Sequence, residues 1–331
     1  MRAMGETKDA KGRWLATGAV GTVVVGFVAM LYASFADGMR AARARLEHLG
    51  NRVVETECGP IEYATYGEGP PVLMVHGIFG GFDQGLVLAR GILGERLHSI
   101  VPSRFGYLRT PMPHGASPAS QADAHVCLLD ALGVERVAVV GTSSGAASAI
   151  QFALRHRERC SVLVLVSSNA PGEISLTTVP ERLIRAVFGA GFVMDFVFWL
   201  LSSRFRLSLR SLMGVPKEFE LSPEEEAQVA EAMETLLPAS ERSDGVLLDQ
   251  YVTNPDMNSG YPLQEIAVPA LVVHAVDDSL ASYEYVRPLA QEIPNAKFVT
   301  LEKGGHLLLG QRARVQSEIA QFLGQHSLVR P

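Results

Sequence analysis

Residues Gly141-Thr142-Ser143-Ser144-Gly145 follow the apolar run Arg136-Val-Ala-Val-Val140 and precede Ala146-Ala-Ser-Ala-Ile-Gln-Phe-Ala-Leu154. That order reads as a strand, a five-residue turn and a helix with a serine at the middle of the turn. A turn this sharp needs small neighbours, because its central residue is held in a strained backbone conformation with the side chain pushed clear of the sheet. A serine hydroxyl is a poor nucleophile at neutral pH, so it requires a base and a third group to orient that base. Downstream, Pro269-Ala-Leu-Val-Val-His-Ala275 reads as a buried strand running into Val276-Asp277-Asp278-Ser279. Ala296-Lys-Phe-Val-Thr-Leu301 reads as a further short strand, followed by Glu302-Lys-Gly-Gly-His306. The order serine, acid, histidine is the one expected after a strand-turn-helix elbow, and it brings Ser143, either Asp277 or Asp278, and His306 to one edge of a parallel sheet. The chemistry would be attack of a hydroxyl on a carbonyl carbon, with the imidazole taking and returning the proton. His274 lies inside its strand and reads as a packed core residue.

With these motifs the chain resembles the α/β-hydrolase superfamily, in its serine esterase and lipase-like branch with an inserted cap. The acid of that family usually ends a G-x-x-D stretch, and Ala275-Val-Asp-Asp278 matches it with Ala for Gly. The resemblance therefore favours Asp278 and keeps Asp277 as the alternative. Gly304-Gly305-His306 before a helix is similar to the family's histidine loop. The strand Pro71-Val-Leu-Met-Val75 ends in His76-Gly77-Ile78-Phe79-Gly80-Gly81, which resembles the family's H-G loop. What this implies is an oxyanion hole made by the backbone N–H groups of Ile78 and Ser144, with His76, Gly77, Gly141 and Gly145 supporting the motifs. One such donor is worth on the order of 3 kcal/mol in the transition state. The glycine-rich loop lacks the spacings of phosphate-cradling loops. Ser103 stands where many relatives carry aspartate before Arg104-Phe-Gly-Tyr107, a departure that touches loop packing more than chemistry.

The elements that must position these groups can be read along the chain. At 331 residues and 47% hydrophobic content, one large core or two unequal ones can be buried. Strands near 71, 98, 136, 161, 270 and 297 alternate with helices near 84, 118, 145 and 309, after an opening hairpin of Arg52–Glu57 and Ile61–Tyr66. This is the pattern of a mostly parallel sheet covered on both faces, and the resemblance makes it eight-stranded. The hydrolase core is then expected over 51–172 and 263–331, with a helical cap over 173–262, because so long a gap between sheet strands exceeds any crossover. Within the cap, Leu183 to Leu201 is nearly all apolar and includes Phe188, Phe192, Phe196, Phe198 and Trp199. It either forms the cap's own core or turns one face to an acyl pocket or to lipid. Ser222-Pro-Glu-Glu225 has capping-box spacing and marks a helix start.

Ahead of the core, a tail over 1–13 precedes a stretch from Trp14 to Ala36 in which 23 residues carry no charge. As a helix this is about 34 Å long, against a hydrocarbon core of about 30 Å. The favoured reading is a transmembrane anchor over 14–36 followed by a helical linker over 37–50, with the catalytic domain outside the cytoplasm. A signal segment cleaved near Ser34-Phe35-Ala36, giving a secreted or periplasmic protein, and a buried soluble helix are the alternatives.

Net charge is −6 with no basic run, which argues against nucleic acid as a partner. No His, Asp and Glu grouping has metal-ligand spacing, so neither metal nor cofactor is expected. Cys58, Cys127 and Cys160 are few, odd in number and widely spaced, and each is expected to be an unpaired core or surface residue. The expected activity is hydrolysis of a small hydrophobic acyl or aryl ester through an acyl-enzyme on Ser143. Acyl transfer, thioester, lactone or carbon–carbon cleavage are the alternatives on the same residues, and a non-catalytic binding or signalling module is the alternative of another class.

Overall fold

The computed structural model describes residues 6–172, 182, 185, 186, 189, 191–205, 210, 211, 213–215 and 219–326, with side chains from residue 22 onward. The expected core aromatic Phe188 and the side chain of Trp14 lie outside the described set.

Strands β1 (Arg52–Thr56), β2 (Gly59–Tyr66), β3 (Pro71–Val75), β4 (His98–Pro102), β5 (Val137–Thr142), β6 (Cys160–Val166), β7 (Ala270–Ala275) and β8 (Lys297–Leu301) make one sheet in the order β1-β2-β4-β3-β5-β6-β7-β8. Only the β1–β2 and β2–β4 pairings are antiparallel; the remaining five are parallel. Strands β5 and β7 are buried along their whole length. Runs of Val, Leu and Ala without polar alternation are what strands covered on both faces require. One face is packed by α3 (Pro118–Ala131), α4 (Gly145–Arg155) and α8 (Tyr283–Glu292). The other is packed by α2 (Phe82–Leu88), α9 (Arg312–His326) and the carboxyl end of α1 (Glu6–His48).

Between β6 and β7 the chain leaves the sheet as an insertion containing α5 (Gly191–Arg204), α6 (Pro223–Glu234) and a helical run over residues 243–258, here α7. The start of α6 is as the sequence requires: Ser222 Oγ accepts from Glu225 N–H and Glu225 Oε2 accepts from Ser222 N–H. The insertion is fastened to the core by two buried ion pairs of opposite sense. Arg104 of the core bonds Asp249 of α7 through both guanidinium nitrogens at 2.7 and 2.6 Å, while Arg242 of the insertion bonds Asp83 of α2 at 3.0 and 2.8 Å. Tyr107 adds a hydroxyl bond of 2.5 Å to Asp249. Asp195 of α5 is buried and accepts from both the N–H and the hydroxyl of Ser240, at 2.8 Å each.

α1 runs as a single helix of 43 residues, so the expected anchor and linker join without a break. Its portion Thr22–His48 is long and apolar enough to cross a membrane by length and composition. Phe35, Met39, Ala42 and Leu46 along one side are buried against the protein, whereas Val23 to Tyr32 are largely exposed. Arg45 closes the junction by donating to Asp83 Oδ2 at 2.8 Å and to the carbonyls of Glu234 and Leu237.

The expectation of three unpaired cysteines fails for two of them. Cys58 and Cys127 form a disulfide with Cα atoms 6.0 Å apart. The turn between β1 and β2 packs beside α3, and that approach across 69 residues is a product of topology that spacing along the chain does not carry. Cys160 is free and buried, and burial pushes its thiol up to about 12.

Candidate active site

Ser143 sits between the end of β5 and the start of α4 with φ of 49°, the left-handed region that L-residues avoid. The turn is held from three sides. Ser143 N–H donates to Val166 O at 3.2 Å, Thr142 Oγ donates to Val75 O at 3.1 Å, and Ala146 N–H donates to Ser143 O at 3.0 Å. The flanking glycines are required by close approach: a Cβ on Gly141 would lie 2.6 Å from that of Ala149, and one on Gly145 would run into the His76 carbonyl.

The two candidate acids have different partners. Asp278 is buried and its oxygens stand 2.9 and 3.1 Å from His306 Nδ1, while its Oδ1 also accepts from the N–H groups of Leu280 and Ala281 at 2.9 Å. Asp277 instead accepts from Gly304 N–H at 3.2 Å and Gly305 N–H at 2.8 Å, fixing the glycine loop that carries His306. Burial pushes the Asp278 carboxyl up, but the imidazole of His306 and the bonds it receives outweigh that and hold it below the usual carboxylate range. A carboxylate facing Nδ1 fixes the proton there and leaves Nε2 as the acceptor. His274 is buried behind this pair, with Nε2 2.8 Å from Ala281 O and 3.6 Å from Asp278 Oδ2; it is a core residue that backs the Asp278 carboxylate.

His76 is fully buried. Its Nε2 accepts from Arg104 N–H at 2.9 Å, which places the ring proton on Nδ1, facing Gly77 O at 2.7 Å. Burial drives its pKa well below the ordinary histidine value, so it remains a neutral strut for the loop. Gly77 N–H is taken by Gln84 Oε1 at 2.9 Å, whereas the N–H groups of Ile78 and Ser144 have no acceptor among the described residues. Ser144 is buried. Buried backbone donors are nearly always paired, so this N–H, beside Ser143, is suited to a ligand oxygen. Ser103 packs the loop behind, accepting from Phe82 N–H and donating to Glu62, both at 3.0 Å.

These groups share one cavity of about 390 Å³, lined by Ser143, His306, Ile78 and Ser144 and by apolar side chains including Val87, Met213 and Leu236. The lining also includes Asn169, on the loop after β6, which sequence reasoning missed. Its Oδ1 is 3.5 Å from Ser143 Oγ, and its Nδ2 donates to Asn254 Oδ1 at 3.1 Å, tying the elbow to α7. Gln84, which fixes the H-G loop from the first turn of α2, was equally invisible; so were Arg242, Asp83 and Asp249, which belong to no motif and pair only when the insertion folds back.

The family description "alpha/beta hydrolase fold" matches residues 70–313. The chain belongs to the α/β-hydrolase fold family. Among curated members, an uncharacterized hydrolase of Bacillus subtilis (strain 168) is 30% identical over 275 residues, covering 79% of this chain and 95% of that protein. Lipase 1 of Psychrobacter immobilis is 23% identical over 267 residues, covering 78% of this chain and 76% of the lipase. Among solved structures, an α/β-hydrolase fold protein from Nakamurella multipartita superposes with a TM-score of 0.66 at 29% identity, covering 83% of this chain and 99% of the other. As a hydrolase of this family, the chain carries Ser143 where the fold sets its strand-to-helix elbow.

Proposed function

We propose that this hydrolase cleaves hydrophobic carboxylic esters through an acyl-enzyme on Ser143. The observation that carries the reading is the His306 imidazole, held at 2.9 Å by a buried Asp278, on a loop lining the same apolar cavity as a serine in a left-handed turn. In the proposed cycle Ser143 Oγ attacks the ester carbonyl while His306 Nε2 takes its proton. Asp278 keeps the proton on Nδ1 and stabilises the imidazolium. The developing oxyanion accepts from the N–H groups of Ile78 and Ser144. The imidazolium then protonates the leaving alcohol, and water activated by the same imidazole releases the acid. The apolar lining supports an acyl or aryl group with little polarity.

The anchor reading assigns residues 14–36 to a membrane and the hydrolase domain to its extracytoplasmic side. The Cys58–Cys127 pair supports that side, since disulfides persist in oxidising compartments.

The test uses the full chain in detergent with p-nitrophenyl esters of graded acyl length and a fluorophosphonate label. Label on Ser143, and a kcat loss on the order of 10⁵ to 10⁶ in Ser143→Ala, are the expected results. Equal turnover by the two proteins would overturn the serine mechanism. A panel extended to thioesters and lactones, with and without an added alcohol acceptor, separates the ester reading from its relatives. Thiol counting on denatured, unreduced protein from the native membrane should find one free cysteine, and three would place the domain on the reducing side.

A further inference from the structure

α5 is apolar around its whole circumference, with Asp195 as the one charge before Arg204 at its end. A helix of that kind must be covered on every face, by protein or by lipid. Two faces are covered. Phe196 and Trp199 pack on Phe35 of α1 with ring centroids 5.5 and 5.6 Å apart, and Gly38 of α1 admits the Trp199 indole where a Cβ would stand 2.6 Å from its nitrogen. On another side Phe198 meets Phe79, a residue of the cavity wall, at 5.1 Å. Phe192, one turn before Phe196 on the same stripe, is still 58% exposed, and the third face carries Val193 and Val197, 48% and 42% exposed.

This uncovered face continues a second one. Val23 to Tyr32 of α1 expose a run of large apolar side chains, and the rings of Tyr32, Phe35 and Phe192 connect the two at successive centroid distances of 6.5 and 5.2 Å. Charge resumes just beyond, at Asp37 and Arg40 on α1 and at Arg204 on α5. An apolar surface of this extent bounded by charge marks an interaction site, and the anchor to which it is joined specifies the occupant. Phe35 is itself the penultimate residue of the 14–36 stretch, and at a rise of about 1.5 Å per residue the exposed Tyr32 lies less than one helical turn before it. Whatever covers the anchor there also reaches Phe192.

We propose that the outer face of α5 is seated in the bilayer leaflet that holds the carboxyl end of the anchor. α5 then lies between that leaflet and the cavity-wall residue Phe79, and the substrate class is a membrane-resident ester with a long acyl chain, taken up beside α5. The substrate half rests on the ester-hydrolase reading; the seating does not, and depends only on α1 occupying a bilayer.

The test uses the full chain in phosphatidylcholine vesicles. Val193→Cys supplies one accessible thiol, because Cys58 and Cys127 are paired and Cys160 is buried. An environment-sensitive fluorophore there should emit blue-shifted and be quenched by spin-labelled lipid, whereas the same label at Glu292→Cys on α8 should be insensitive to it. Equal, water-like emission at the two positions would overturn the seating. So would a blue shift at 193 that disappears as the protein-to-lipid ratio is lowered, which would assign the face to a second copy of the chain. A second measurement addresses delivery: Val193→Asp with Val197→Asp should keep the turnover of a water-soluble acetate ester, showing that the variant folds, and lose tenfold or more on a long-chain ester dissolved in the vesicles. Equal retention of both activities would overturn the delivery route. Absence of both activities in the unaltered chain would defeat the hydrolase reading while the fluorescence still decides the seating.

Discussion

The sheet edge and the insertion deliver side chains to one cavity, and they are held in place by different physics. At the sheet edge the backbone does the positioning. Phe79, Ser143, Ser167 and Leu308 all line the cavity, and all have positive φ, between 44° and 58°. Such residues cost on the order of 1–3 kcal/mol each and persist where neighbouring structure over-determines them; here the parallel strands and the carbonyls of Val75 and Val166 do so. In the insertion it is side chains that fasten the helices, through Arg104–Asp249, Arg242–Asp83 and Arg45. A strained turn sets one atom to within a fraction of an ångström, while a buried ion pair sets how one helix docks. The chemistry would be fixed by the first and the shape of the pocket by the second.

The largest effect that would break this comparison concerns the two neighbouring aspartates at the sheet edge. Asp278→Asn should lower kcat by about 10⁴, the scale for an acid that fixes a histidine tautomer. Asp277→Asn leaves one oxygen to accept from the Gly304 and Gly305 N–H groups and should lower kcat by about tenfold, through loop position alone. Stopped-flow turnover of a p-nitrophenyl ester measures both. Equal losses would mean that loop geometry and tautomer control are not separable here, and the reverse order would make Asp277 the acid.

Legibility in the sequence follows the same division. Ser143, His306, the His76-Gly77 loop, the parallel strands and the α6 capping box are local: each is written in consecutive residues whose types dictate a backbone shape. The preference for Asp278 over Asp277 needed a family resemblance, since neighbours on a chain share spacing and differ only in the partner each meets. Asn169, Asp83, Asp249 and Arg242 left no local trace, because their partners come from distant segments, 145 residues away for Arg104 and Asp249 and 159 for Asp83 and Arg242. The Cys58–Cys127 pair was hidden for the same reason. The apolar run in the insertion was legible as apolar, but its three faces were not, because its hydrophobicity has no period to reveal which side meets what.

The second effect tests the insertion. Asp249→Ala leaves the buried Arg104 guanidinium with Gly77 O as its one remaining acceptor among the described residues and removes the partner of the Tyr107 hydroxyl. Breaking a buried pair from one side costs about 3–5 kcal/mol, read as a lower urea midpoint at unchanged slope. The comparison predicts that kcat on a short ester falls far less than in Asp278→Asn, since no reacting group is touched, while KM for bulky esters rises. A kcat loss as large as that of Asp278→Asn would show that the insertion helps to set the reacting atoms.

The smallest effect concerns a core residue that neither mechanism serves. His125 of α3 is fully buried, and neither ring nitrogen has a hydrogen-bond partner among the described residues. Burial, with the nearby Arg104 charge, lowers its pKa to about 3 in the folded chain, against about 6.5 when unfolded. The folded value is the lower one, so as pH falls below about 6.5 the unfolded chain takes up a proton that the folded chain refuses, and stability is lost progressively down to about pH 3. Between pH 8 and pH 5 this amounts to about 2 kcal/mol. His125→Leu, close in volume and without a titrating group, should remove that part of the acid loss while leaving turnover of a short ester unchanged. Urea unfolding of both proteins at the two pH values measures it. An identical acid slope in the variant would mean that His125 is charged or solvated in the folded chain, and that the core around α3 is less dry than the sheet it covers.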